Sequence, residues 1–217
     1  MSQPSKLDLV ETSVCASDTG QLMSLLPALQ EQNTADTLLD ALNRGIEQAR
    51  RNFKQGTFAL PDFLLAIDAY RMGTAFLKER FPDAAGRKAP GIVIGVVEGD
   101  VHDMGKNIVA AVLEACGFRV TDLGKNVPNE TFLEAIEAER PEIVALSTMM
   151  STTLENMNRL IEQVKRSFPD TLILVGRAPF DPELARQMGA DGYAENVITI
   201  PDETRRVLTI ATAKQLA

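Results

Sequence analysis

Gly91-Ile92-Val93-Ile94-Gly95-Val96-Val97-Glu98-Gly99-Asp100-Val101-His102-Asp103-Met104-Gly105 is the stretch on which the rest of the chain turns. Its first seven residues are almost unbroken apolar sequence, the mark of a strand buried on both faces of a parallel sheet. From Met104 to Cys116 the apolar residues recur at threes and fours and stop at Gly117, which predicts a helix. The residues between form a strand-to-helix loop at the carboxyl edge of a sheet, where open α/β sheets hold their ligands. That loop contains His102, the only histidine among 217 residues.

A solitary histidine more often caps a helix or satisfies a core than performs chemistry. Three neighbours shift the balance. Asp100 can accept one imidazole N–H, as carboxylates do behind metal-bound histidines. Gly105 permits close backbone approach, and Asp103 stands where it can cap the following helix. With no second histidine, and with Cys15 and Cys116 one in each half of the chain, a tetrahedral zinc site cannot be completed. A metal bound by His102 must bring its other ligands with it.

Beyond this stretch, strands and helices alternate. Strands are expected at Gly91–Val97, Phe118–Leu123, Glu142–Ser147, Thr171–Val175 and Gly192–Ala194. Helices are expected at Met104–Cys116, Asn129–Glu139, Thr152–Phe168, Asp181–Met188 and Pro201–Leu216. Such alternation gives a parallel sheet with right-handed crossovers. Five strands fit a flavodoxin-like or Rossmann-like order whose switch point lies beside the first strand, next to His102. Phosphorelay receivers share that architecture, but their acceptor Asp would fall where this chain has Ser147.

The first half carries a helical period instead. Leu22–Gln30, Ala35–Phe53 and a segment from Ala59 or Pro61 to Arg80 predict an antiparallel bundle. Residues 1–14 fit either a short helix or a loose tail. The polar, proline-bracketed run from Pro82 to Pro90 reads as a linker. The expected organisation is therefore α plus α/β: a helical bundle over 1–85, a linker at 86–90, and a five-stranded parallel-sheet domain over 91–217.

Composition narrows the function classes. A chain 45% hydrophobic and 24% charged is ordinary globular sequence with enough apolar residues for a sizeable core. The formal net charge of −8, with basic residues clustered only at Arg50-Arg51 and Arg205-Arg206, argues against nucleic-acid binding. No apolar run approaches the roughly 20 residues that span a membrane, and the amino terminus lacks a signal-peptide pattern. Two cysteines without metal or redox spacing suit a reducing compartment, so a cytoplasmic location is expected.

Asp100-x-His102-x-x-Gly105 resembles the DxHxxG signature of cobalamin-binding proteins. Further landmarks follow in order: Ser147-Thr148-Met149 where that family has Ser-x-Leu, and Val175-Gly176-Arg177-Ala178-Pro179 where it has Val-Gly-Gly. In the first half, Phe53-Lys54-Gln55-Gly56-Thr57-Phe58-Ala59-Leu60-Pro61 looks like the family's Phe-x-x-Gly-x-x-x-Leu-Pro segment. A helical bundle followed by such a domain resembles the methyl-carrying corrinoid proteins of methyltransferase systems, and the cobalamin module of methionine synthase.

The resemblance implies a cobalamin cofactor whose cobalt is ligated from below by His102 in place of the cofactor's own benzimidazole. Asp100 would hold the imidazole, and the hydroxyl of Thr153 would hold Asp100. Val101, Asp103, Met104, Gly105, Met149 and Gly176 would line the cofactor, with Ser147 facing its displaced tail. Arg177 replaces the family's second glycine and would either turn outward or meet the tail's phosphodiester. Phe53, Leu60 and Phe63 would shield the methyl-bearing face, although residues at helical spacing are also ordinary core.

The partners so implied are a substrate:corrinoid methyltransferase, a corrinoid:acceptor methyltransferase using tetrahydrofolate or a thiol, and a reductive activase, with the Pro82 to Pro90 run as hinge. The chain would carry the methyl group rather than cleave it from its donor, since no zinc site or acid-base group is apparent near the cap. Cobalamin-based sensors and the cobalamin subunits of adenosylcobalamin-dependent isomerases share parts of this layout. The sensors, however, add a DNA-binding domain and bundle Trp and His residues, and the isomerase subunits generally lack the helical cap.

Overall fold

The computed structural model describes residues 4–81, 89–176, 179 and 181–215, with side chains as far as residue 210. Residues 86–88 of the expected linker lie outside the described residues, as does Arg177. The chain divides into two compact units, Met1–Lys88 and Ala89–Ala217.

The first unit contains α1 (Lys6–Cys15), α2 (Thr19–Leu29), α3 (Ala35–Lys54) and α4 (Leu60–Arg80). The undecided amino-terminal segment is a helix, and its start is a capping box: Asp8 N donates to Ser5 Oγ at 3.1 Å while Ser5 N donates to the Asp8 carboxylate at 2.8 Å. These bonds satisfy two N–H groups that a helix start otherwise leaves free. Val10 and Val14, one turn apart, are fully buried and give α1 its apolar stripe. The helices share a core that includes Leu22, Leu26, Leu38, Leu42, Phe63 and Ile67.

In the second unit, β1 (Gly91–Val96), α5 (Met104–Ala115), β2 (Arg119–Asp122), α6 (Asn129–Glu139), β3 (Ile143–Ser147), α7 (Leu154–Ser167), β4 (Leu172–Gly176), α8 (Pro182–Gln187), β5 (Gly192–Ala194) and α9 (Ile200–Gln215) follow in sequence. The strands are all parallel in the order β2-β1-β3-β4-β5. This is the expected flavodoxin-like order. Because β2 and β3 flank β1 on opposite sides, the helices that follow β1 and β3 pack on opposite faces of the sheet, and the edge between those two strands is the switch point.

Boundaries differ from expectation where local chemistry ends an element early. Val97 falls outside β1, with an isolated bridge to Val127 and an N–H that still donates to Ser147 O at 3.1 Å. The helix expected from Thr152 begins as a 3-10 turn at Ser151–Thr153 and becomes α7 only at Leu154.

Alternation along the strands separates two cores. Val93, Val97, Val144, Leu146, Ile173 and Val175 pack with Phe132, Ile136, Met157, Leu160, Ile161, Val164 and Ala185 from α6, α7 and α8. Ile92, Ile94, Ile143 and Leu174 point the other way, the side on which α5 and α9 pack. Gly95 is part of this design. A Cβ there would come within 2.6 Å of the Phe132 ring, so its absence lets α6 sit close over β1. Gly95→Ala should force that ring aside and destabilise the sheet unit by about 1–3 kcal/mol, read as a lower urea midpoint for that unit. An unchanged midpoint would show that Phe132 can move freely.

Candidate cofactor site

The β1–α5 loop is built on a buried carboxylate. Asp100 has no exposed surface, although isolated charges are strongly disfavoured in such places. Its Oδ1 accepts the backbone N–H of His102 at 2.9 Å and lies 2.7 Å from His102 Nδ1. Its Oδ2 accepts from Thr148 Oγ1 at 2.7 Å and from the backbone N–H of Met149 at 2.6 Å. Burial pushes the carboxyl upward, but the bonds from Met149 N, His102 N, Thr148 and the His102 ring together outweigh it and hold Asp100 far below the ordinary carboxylate range.

An anionic Asp100 settles the tautomer. A carboxylate only accepts, so Nδ1 must carry the proton, and Nε2 is left as the lone-pair nitrogen. The imidazole is 53% exposed, which makes that nitrogen available to a ligand. The loop reaches this geometry through Gly99, whose φ of +92° is comfortable only for glycine.

The hydroxyl on Asp100 is not the one expected. Thr148 donates to Asp100, and Thr153 stands behind it, with the two Oγ1 atoms 2.6 Å apart. Thr153 also reaches Met150 O at 2.8 Å. The 3-10 turn folds Thr153 back onto Thr148, so a count of residues from Ser147 points one hydroxyl too far. Ser147 lies in register with Val96, on the sheet face of α5 and α9.

Asp103 occupies the N-cap position of α5 without a side-chain cap bond. Its φ of −106° and ψ of −10° are not the extended cap conformation, and its carboxylate lies 3.7 Å from Lys125. Of the expected shield residues, Phe63 is only 1% exposed and stacks on half-buried Phe53 with ring centroids 5.1 Å apart. Leu60, the first residue of α4, is half-buried.

The B12 binding domain family profile matches residues 90–200. The dimethylamine corrinoid protein of Methanosarcina barkeri is 35% identical over 197 residues, covering 89% of this chain and 92% of that relative. The chain belongs to the B12-binding corrinoid proteins. Trimethylamine corrinoid protein 1 of Methanosarcina acetivorans is 36% identical over 171 residues, covering 76% of this chain and 78% of that one. Among solved structures, the methanol:cobalamin methyltransferase complex MtaBC from Methanosarcina barkeri superposes with a TM-score of 0.85 at 26% identity. That match covers 95% of this chain and 81% of the matched one.

The site residues suit the cofactor of a corrinoid protein. Among the described residues no group of three His, Cys, Asp or Glu side chains could hold a bare metal ion, so one protein nitrogen fits a metal that arrives already ligated. Val101, Met104 and Met149 are 59%, 76% and 61% exposed, large apolar side chains open to solvent within or beside the loops that hold Asp100 and His102. Side chains added at Gly105 or Gly176 would meet nothing within 4 Å, so both glycines border open space.

Because the Asp100 carboxyl is depressed on folding, its contribution is fully present above the unfolded value of about 3.9 and fades as pH falls below it. Asp100→Asn should destabilise the cofactor-free protein by about 1–3 kcal/mol near neutral pH. The gap between wild type and variant should narrow as pH falls below about 4. Urea unfolding at several pH values measures this, and a gap independent of pH would contradict the assignment.

Proposed function

We propose that this protein carries a methyl group on the cobalt of bound cobalamin. It takes the methyl from a methyltransferase acting on a methylated amine and yields it to a second methyltransferase that uses a tetrahydrofolate or thiol acceptor. The observation that carries this reading is the anchored Asp100–His102 pair with Nε2 free and the ring half exposed. The methylated-amine class is supported by the dimethylamine and trimethylamine corrinoid relatives. Matching 92% of such a relative's length favours the carrier over the sensor and isomerase readings.

When bound, the cofactor supplies a cobalt atom that accepts and donates methyl groups. The chain's own residues do the rest. His102 would offer Nε2 to the cobalt, while Asp100 holds the ring and keeps the proton on Nδ1. Thr148 and the Met149 N–H hold Asp100, while Thr153 braces Thr148. Val101, Met104 and Met149 would cover apolar surface of the macrocycle, Gly105 and Gly176 would leave it room, Ser147 would face the tail, and Arg177 would either meet the tail's phosphodiester or turn outward.

Phe53 and Leu60 would shield the reactive face from water, with Phe63 stacked on Phe53. A reductive activase completes the set of partners, since a cobalt carrier that loses an electron needs one restored. Cys15 and Cys116 are not joined in a disulfide, which supports placing the protein in the cytoplasm, where thiols stay reduced.

Two measurements test the reading. With a dimethylamine or trimethylamine methyltransferase present, isotope-labelled methyl should pass from the amine to the protein-bound cofactor. Failure with both amines while another methylated donor works would replace the substrate class. The second test uses the cobalt(II) form and electron paramagnetic resonance. Nitrogen-15 placed in the single histidine should alter the hyperfine pattern, and His102→Ala should abolish the protein-nitrogen splitting. A pattern unmoved by either change would remove His102 as the ligand.

A further inference from the structure

The segment joining β2 to α6 has no role in the reading above, yet it grips the His102 loop at both ends. At the near end, Asn126 makes two contacts. Its backbone N–H donates to Asp100 O at 3.0 Å, and its side-chain Oδ1 accepts the N–H of Gly99 at 2.8 Å. At the far end, Lys106 in the first turn of α5 is 3% exposed, and its ammonium spans both carboxylate oxygens of Asp122. Asp122 Oδ1 also accepts the N–H of Gly124 at 2.8 Å, and Gly124 O in turn accepts the N–H of Val96 at 3.0 Å. His102 lies between these two grips.

We infer that residues 122–127 are a brace that sets the position of the His102 ring, with Asn126 the positioning residue at one end of the loop and the Lys106–Asp122 pair fixing the other. The inference rests on the reading of His102 as cobalt ligand. Asn126 suits the task for two reasons. It adopts φ of 52°, a left-handed conformation that asparagine tolerates better than most residues. From there its amide oxygen takes up the N–H of Gly99, whose own φ is also positive.

That second bond fixes the turn leading into Asp100, and through Asp100 the imidazole. The Lys106–Asp122 bond is charge-assisted and removed from water on the lysine side, which makes it a firm anchor. A lower ligand has to let go of a metal and find it again. A loop held at both ends returns the ring to one place without reordering the backbone each time.

The test uses the untagged full chain, so that His102 remains its single imidazole. Asn126→Gly keeps the left-handed backbone available and removes only the acceptor, whereas Asn126→Asp restores the acceptor. In cofactor-free protein, nitrogen-15 spectra of the ring report the tautomer, and amide exchange reports the Gly99 N–H. Wild type and Asn126→Asp should show the Nδ1–H tautomer and a protected Gly99.

In Asn126→Gly the Nδ1–H fraction should fall at least twofold and Gly99 exchange should rise at least tenfold. In cobalamin-loaded protein the nitrogen-coordinated cobalt(II) fraction should fall in step. A wild-type ring spectrum and Gly99 protection in Asn126→Gly would overturn the inference. So would equal impairment of the Asp variant, since a merely structural defect is not rescued by returning the acceptor. If His102→Ala left the cobalt signal unchanged, the ligand reading would fail, while the ring and amide results in cofactor-free protein would still judge the brace.

Discussion

A carboxylate with no exposed surface governs the second unit. Burying an anion is tolerable only if donors replace the lost water, and the donors to the Asp100 carboxylate come from two loops: His102 N and Nδ1 from that after β1, Thr148 Oγ1 and Met149 N from that after β3. These loops meet because β1 and β3 are neighbours in the sheet. The strand order therefore does more than shape a crevice. It brings together the two sets of donors without which Asp100 could not remain charged, and without that charge nothing would fix which nitrogen of His102 faces outward.

The same dependence separates what the sequence announces from what it hides. Asp100 and His102 stand two residues apart in one loop, so their pairing is local and legible from spacing. The sheet is legible too, since five apolar runs alternating with amphipathic segments leave few topologies once crossovers must be right-handed. Thr148 is another matter. Ser147, Thr148, Thr152 and Thr153 are interchangeable as hydroxyls on paper, and only the 3-10 turn at Ser151–Thr153 decides that Thr148 touches Asp100 and Thr153 touches Thr148.

Lys106 and Asp103 were hidden for a related reason. A lysine in an amphipathic helix normally reads as solvated surface, but Lys106 is buried on Asp122, sixteen residues away and on a neighbouring strand. Asp103 has the residue type of a cap and the position of one, yet its backbone is in the helical region, from which the side chain cannot fold back onto the first turn. Pair partners from different strands and backbone angles at element ends follow from tertiary packing, and neither leaves a periodic trace in the chain.

The donors around Asp100 also decide where a proton rests. Thr148 has one proton, and in the described arrangement it goes to Asp100. Its oxygen then accepts from Met150 N at 3.1 Å and lies 2.6 Å from Thr153 Oγ1. Neutralising Asp100 would place a carboxylic O–H against this crowded oxygen and weaken the bonds from Met149 N and His102 that require a full negative charge. Asp100, held by His102 N, the His102 ring, Thr148 and Met149 N, therefore stays the anion that keeps the proton on Nδ1.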